Sequence, residues 1–418
     1  MPWSYASQKF NGSKLKLDSN YFSNIISRLG VKDLLENFTN HKLANYKSKR
    51  NFDYGSYEKN FVSALSPALS RRIITEKEII KHVSSQFSFG QIEKFVDEIC
   101  WRTYWKGWLE HRPAVWYDYL SQLENFEDEK VNNPMYLNAI EGNTGLECFD
   151  SWVKDLLEFG YLHNHSRMWF ASIWIFYFNL PWQLGAEFFY QNLIDADPAS
   201  NTLSWRWVAG LQTQGKKYIT YKENIDRFTG GRFSFPDNFV LSDRMTDNYV
   251  YYEPNYQVLE SNTTNSKNKG YMVIEDDLSF TNVMKDSPIL IQSESYNPFG
   301  QSENVRSFSN RALESALENC KKYISKNVST FQWSNVEKIN DWVITNKIDE
   351  VEIISPTVGK FEKLIPSTFK KLDVKSSYFI HDWDKLFWKH ADKGFFKLKK
   401  NIKTIVSPYW DMPLFNSY

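Results

Sequence analysis

Cysteine is scarce: Cys100, Cys148 and Cys320 are the only three in 418 residues. They lie far apart, without the paired spacing of metal sites, and an iron–sulfur cluster needing four thiolates from one chain is excluded. Thiols with no evident partner suit a reducing compartment, and the expected location is the cytoplasm. A surplus of one charge is also missing. Lys plus Arg and Asp plus Glu number 50 each, so no global field draws the chain to nucleic acid and any DNA groove has to be local. No apolar run approaches the roughly 18 residues of a membrane span, and Met1-Pro2-Trp3-Ser4 lacks the basic start and apolar stretch of a secretion signal. No membrane partner is expected.

What is abundant is aromatic: 17% of residues, with sixteen Trp, most of them accounted for as core area. The length suggests two domains. After a helical extension over residues 1–50, with helical spacing from Asp18 to Phe38, apolar residues keep three- and four-residue spacing from Ser63 to Trp205. Ser66-Pro67 and Thr75-Glu76-Lys77-Glu78 read as helix starts, the second as a capping box, and Trp169 to Phe178 as a buried helix. Residues 51–230 therefore read as all-α. Residues 231–270 read as an extended segment ending in a polar linker, Glu260 to Gly270. Over residues 271–418 the period changes. Tyr271–Ile274, Ile289–Ile291, Val351–Ile354 and Tyr378–Ile380 resemble short buried strands, and Arg311–Ile324 and Val336–Val343 resemble helices. That alternation predicts a small Rossmann-like α/β domain with a mostly parallel sheet.

Three blocks in the helical half carry chemistry. In Val62-Ser63-Ala64-Leu65-Ser66-Pro67, hydroxyls precede a helix whose first N–H groups lack partners, an end that can hold phosphate; ordinary capping by serine also explains the block. Glu98, Trp101 and Arg102 share one helical face, where acid, indole and guanidinium can grip a polar aromatic ligand or form a surface ion pair beside a half-buried Trp. The third block runs from Gly142-Asn143-Thr144-Gly145 through His163-Asn164-His165-Ser166-Arg167-Met168 to Asp195-Ala196-Asp197-Pro198-Ala199-Ser200-Asn201 and Trp205-Arg206-Trp207. Its two histidines have no third ligand at metal spacing, and its Asp pair alone reads equally as a solvated turn.

Together, the order and spacing of these blocks resemble the FAD-binding domain of DNA photolyases and cryptochromes over roughly Asn51 to Ala209. The resemblance implies a U-shaped FAD, its diphosphate held by Ser63, Leu65 and Ser66 with Tyr54 assisting. Arg102, Arg167, Asp195 and Asp197 are then expected around the isoalloxazine, Arg167 favouring the anionic reduced ring, with Asn201 facing its N5. Glu98 matches the acid that contacts dimer carbonyls, Trp101 and Trp207 the stacking walls, and Asn164 and Met168 the pattern for cyclobutane rather than (6-4) lesions. Trp205 and Trp182 match the first two members of an electron-hopping chain. The implied partner is UV-damaged DNA with its dimer extruded from the stack.

The sequence departs from the family in several places. The surface member of the hopping chain is replaced, the position falling near Glu129 or Lys130, with Trp116, Trp152 or Trp174 as substitutes. His165 stands where cyclobutane-dimer enzymes carry Arg. Gln91 to Gly210 is acidic by count, so Lys47-Ser48-Lys49-Arg50, Arg71-Arg72 and Lys216-Lys217 are the stretches expected to line a DNA groove. The usual preceding antenna domain is expected to be absent, and residues 271–418 resemble a shortened, relocated relative of it. They carry no Gly-rich phosphate loop, so no antenna chromophore is predicted. The resemblance thus implies a blue-light-driven cyclobutane pyrimidine dimer photolyase, or alternatively a cryptochrome-like sensor acting on a protein partner that the sequence does not identify.

Overall fold

The computed structural model describes residues 19–55, 59–243, 247–255, 261–264, 266–372 and 374–411. Met1 to Ser4, the start of the expected helix at Asp18, and Glu260 and Asn265 of the expected linker lie outside them. The described part of the first half is helical. Its longest helix, α1 (Phe89–Glu110), starts at a capping box in which Gln91 accepts from the Ser88 backbone at 2.9 Å. It contains no proline, and it buries Ile92, Phe95, Val96, Ile99, Cys100, Thr103 and Tyr104 at helical spacing. The Thr75–Glu78 capping box also forms. Three further helices complete the centre: α2 (Asn164–Phe176), α3 (Trp182–Asn192) and α4 (Pro198–Val208). The capping carboxylate of Asp197 accepts from Ser200 N at 2.8 Å, and Pro198 occupies the first turn of α4, where its missing N–H costs nothing. Gly185 of α3 is required by close approach, since a Cβ there would meet the Trp205 ring at 2.3 Å.

The second half holds a five-stranded sheet in the order β3-β2-β1-β4-β5, with every pair parallel. The strands are β1 (Lys269–Val273), β2 (Ile289–Gln292), β3 (Val328–Phe331), β4 (Glu350–Ile354) and β5 (Lys375–Phe379). They alternate with α5 (Glu303–Tyr323), α6 (Glu337–Asn346) and α7 (Leu364–Leu372). Strand β3, Val-Ser-Thr-Phe, escapes a hydrophobicity reading because only Phe331 is buried. Likewise α5 starts before the expected Arg311, at a Ser302 cap, with Val305 and Phe308 on its buried face set among polar residues.

After β5 the chain returns to the helical half as α8 (Asp382–Trp388) and α9 (Phe395–Val406), which pack along α1. Trp383 donates to Thr103 Oγ1 at 2.9 Å, Phe395 stacks on Trp101 at 3.7 Å between centroids, and a Cβ on Gly107 would strike the Trp388 ring. The expectation that Arg71 and Arg72 line a DNA groove is corrected here. They are 6% and 5% exposed and face the sheet domain. Arg72 bonds Asp384 at 2.6 Å and Asp277 at 3.2 Å, and Arg71 bonds Ser309 at 3.0 Å. Guanidinium groups so far from water persist only because carboxylates meet them. Among the described residues, no helix is long and apolar enough to cross a membrane.

Removing Asp384 takes the bidentate partner from a buried Arg72 and leaves Asp277 as its remaining bonded carboxylate, so Asp384→Ala should cost about 1.5–3 kcal/mol in urea unfolding. A loss within the error of a surface substitution would contradict the burial assigned to Arg72.

Candidate functional site

Helices α1 and α2 and the turn before α4 meet around four charges. Arg167 on α2 donates two bonds to Asp195, at 3.0 and 2.9 Å, and one to Leu162 O at 2.9 Å. Arg102 on α1 donates to Asp197 and reaches Asp195 O at 3.3 Å. Asp195 is 1% exposed. Burial alone pushes its carboxyl up, but Arg167 and Arg102 outweigh that and hold it below the ordinary carboxylate range. Burial likewise works against the Arg167 charge, and Asp195 reverses it, raising the guanidinium further. The Arg167–Asp195 pair therefore stays ionised at neutral pH.

Around this cluster the other nominated residues fall in several groups. Ser66 hydrogen-bonds Asp195. Ser63 accepts from Leu65 N at 3.4 Å, beside Ala64 with a left-handed φ of 50°, a conformation that non-glycine residues seldom adopt. Tyr54 stacks on Phe52, and its N–H is held by Asn60. Asp53 next to it takes a bond from Ser166 of α2 at 2.6 Å, which ties that loop to the site. Asn164, at the first turn of α2, is exposed, Met168 one turn on is half-buried, and Ser204 is exposed on the mostly buried α4. Asn201 is buried and donates to Ala186 O at 2.7 Å. The buried Ser200 Oγ has no partner among the described residues. The region thus offers side chains for a polar ligand between α2 and α4.

Glu98, one turn before Arg102, is held by Lys94 at 2.7 Å and Arg50 at 3.5 Å. Arg50 is therefore committed to an ion pair inside one of the basic stretches. Trp101 has one face covered by Phe395, a contact the sequence does not suggest because it spans most of the second half of the chain. Trp207 lies against Tyr218 at 5.4 Å. Burial drives His163 down to about 4 and also lowers His165, so neither imidazole carries charge at pH 7, and His165 does not replace the charge of an arginine. Among the described residues no group of His, Cys, Asp or Glu can hold a metal.

Trp205 is buried among Phe189 at 5.1 Å and Trp174 at 6.2 Å. Trp182 stacks on Tyr119 at 5.6 Å, and Tyr119 lies tilted against Trp116 at 5.4 Å. Trp152 instead joins Trp169. Lys130 is locked between Glu127 and Glu187, and a surface pocket lined by Phe126, Gln183 and Asp247 adjoins Trp182.

Comparison with known proteins places residues 95–230 on the model of the FAD binding domain of DNA photolyase. Deoxyribodipyrimidine photo-lyases from Agrobacterium fabrum and from Buchnera aphidicola of Baizongia pistaciae are 32% and 30% identical to it over 43% and 41% of this chain. The chain covers only 38% and 37% of their lengths. A solved bacterial class III photolyase from Agrobacterium tumefaciens is 29% identical, with a TM-score of 0.42 over 49% of this chain and 43% of its own.

A neutral buried imidazole makes stability depend on pH. With His163 near 4 when folded and about 6.5 when unfolded, the unfolded chain binds the extra proton between those values, so stability falls as pH drops through that window. His163→Asn retains a helix-capping side chain and should remove about 3 kcal/mol of that loss. Urea unfolding of both proteins from pH 7 to 4 checks it, and parallel losses would contradict the assignment.

Proposed function

Because residues 95–230 match the model of the FAD binding domain of DNA photolyase, we propose that the chain holds FAD and repairs cyclobutane pyrimidine dimers under blue light. The observation that carries this reading is the placement of Glu98, Trp101 and Arg102 on one face of α1, so that a lesion-gripping pair and the charged cluster share a rigid helix. The cluster suits a flavin: the Asp195 and Asp197 side chains would accept from ring N–H groups, Arg167 favours negative charge, and Ser200 Oγ is a buried hydroxyl without a partner among the described residues. Ser63, Leu65 and Ser66, with Tyr54 nearby, would take the diphosphate, and Asn201 would face the ring. Bound there, the reduced flavin would supply, when excited, the electron that splits a dimer.

The protein's own residues then position the lesion. Glu98, steadied by Lys94 and Arg50, is the acid that would contact the dimer carbonyls. Trp101, braced by Phe395 and Trp105 and half-buried, would stack on the lesion through its exposed part, and Trp207 serves as the second wall with Asn164 and Met168 beside them. Trp205 supplies an oxidisable ring in van der Waals reach of other aromatics, and Trp182 with Tyr119 and Trp116 continues outward. We divide the chain as the sequence suggests, into a helical extension over 1–50, the flavin domain over 51–230, a connecting segment over 231–270 and the α/β domain over 271–418. A light sensor that signals through the α/β domain is the second reading. It is favoured by Lys130, which stands near the distal hopping position and is tied up by Glu127 and Glu187.

Illumination of the reduced protein with dimer-containing single-stranded and duplex oligonucleotides decides between them. Repair is expected, and intact dimers beside a bound, reducible flavin would reject the enzyme. Glu98→Ala should slow repair about tenfold or more, as loss of a charged hydrogen bond implies, with flavin content unchanged. Trp205→Phe should abolish light-driven reduction of the oxidised protein, and undiminished photoreduction would refute its role.

A further inference from the structure

A repair site needs cations to meet phosphate, yet Gln91 to Gly210 is acidic and Arg71 and Arg72 are consumed inside the fold. The missing positive charge lies on α9 and the turn that leads into it. Residues 393–406 contain Lys393, Lys397, Lys399, Lys400 and Lys403 and no acid. Phe395, Leu398, Ile402 and Val406 are buried against the helical half. Phe396, Lys400 and Lys403, at i, i+4 and i+7, share the opposite, exposed face. Lys397 is partnered by Asp392 and Lys399 by Asp97 and Glu93, whereas Lys393, Lys400 and Lys403 have no carboxylate partner among the described residues.

Position makes this stripe more than a solvated helix face. Phe395 lies on Trp101 and Lys399 on Asp97, so α9 begins at the proposed lesion wall and runs antiparallel along α1. Phe396, 77% exposed, therefore stands at the rim beside the Trp101–Phe395 stack. A cationic track with an exposed aromatic at one end matches a nucleic-acid strand, whose phosphates neutralise lysines and whose bases stack on aromatic faces.

We propose that α9 is the surface that binds the backbone of the dimer-bearing DNA strand, with Lys393, Lys400 and Lys403 meeting phosphates and Phe396 stacking on a base flanking the lesion. The proposal rests on the repair reading and gives the helix after the sheet domain a part in it. The phosphate contacts are supplied from the far end of the chain, on the helix whose buried face holds Trp101 in place.

Salt-dependent binding of a dimer-containing single-stranded oligonucleotide tests it with the full-length flavoprotein. The triple variant Lys393→Gln, Lys400→Gln, Lys403→Gln should lower affinity at least tenfold at low salt and reduce the log–log salt slope by about 2, the value for three single-strand phosphate contacts. Phe396→Ala should weaken binding about tenfold with its salt slope unchanged. Flavin content and photoreduction should equal wild type in both, confirming that the fold is intact. A triple variant with wild-type affinity and slope overturns the surface while leaving the repair reading standing. Wild-type protein that binds no DNA overturns both. Binding to phosphatidylserine vesicles that is lost in the triple variant, with DNA binding untouched, would assign α9 to anionic lipid and overturn the proposal.

Discussion

The structure turns on two arginines meeting two aspartates away from water. Arg102 comes from α1, Arg167 from α2, and Asp195 and Asp197 from the turn that opens α4. Neither partner could be buried alone, since an unpaired charge in that setting costs several kcal/mol. The pairing therefore fixes how three helices approach one another. It also leaves unspent capacity, because carboxylates accept several bonds and the fork of each guanidinium points along a defined direction. A site built this way is stiff and polar at its floor, with Asn164 and Ser204 accessible at its sides.

A second set of buried ion pairs repeats the device at the junction with the sheet domain. Arg72 meets Asp277 at the end of β1 and Asp384 on α8, and His381 after β5 shares Asp277 at 2.8 Å. These groups line the crevice at the carboxyl ends of β1, β4 and β5, where open α/β sheets commonly present polar residues. Here the charges largely satisfy one another. The consequence is a fixed docking of α8 and α9 along α1, which carries the candidate site on one side and the returning chain on the other. Trp101 is where the two meet.

Local signals were legible in the sequence wherever a short-range rule governs. Thr75 to Glu78 caps its helix, the runs at Tyr271, Ile289 and Val351 become strands, and the spacing of Glu98, Trp101 and Arg102 puts them on one helix. Long-range pairing was not legible. Arg71-Arg72 looks like a solvated basic dipeptide until Asp277 and Asp384 arrive from the other half of the chain. Strand β3 is hidden by its hydroxyls, and β5 starts earlier than its apolar end suggests, because Lys375-Ser376-Ser377 pairs through backbone groups that any residue supplies. Nothing local marks Phe395 as the partner of Trp101. Helices α8 and α9 are short or lysine-rich, and their buried faces show only once the surface of α1 is known.

In the proposed site the paired arginines and aspartates form the floor of a flavin cradle. Equilibrium titration of the purified, flavin-stripped protein with FAD, followed by quenching of flavin fluorescence, measures that directly. One FAD per chain is predicted, with Asp195→Ala binding at least a hundredfold more weakly. Protein that is folded yet shows no saturable uptake of FAD would contradict the account.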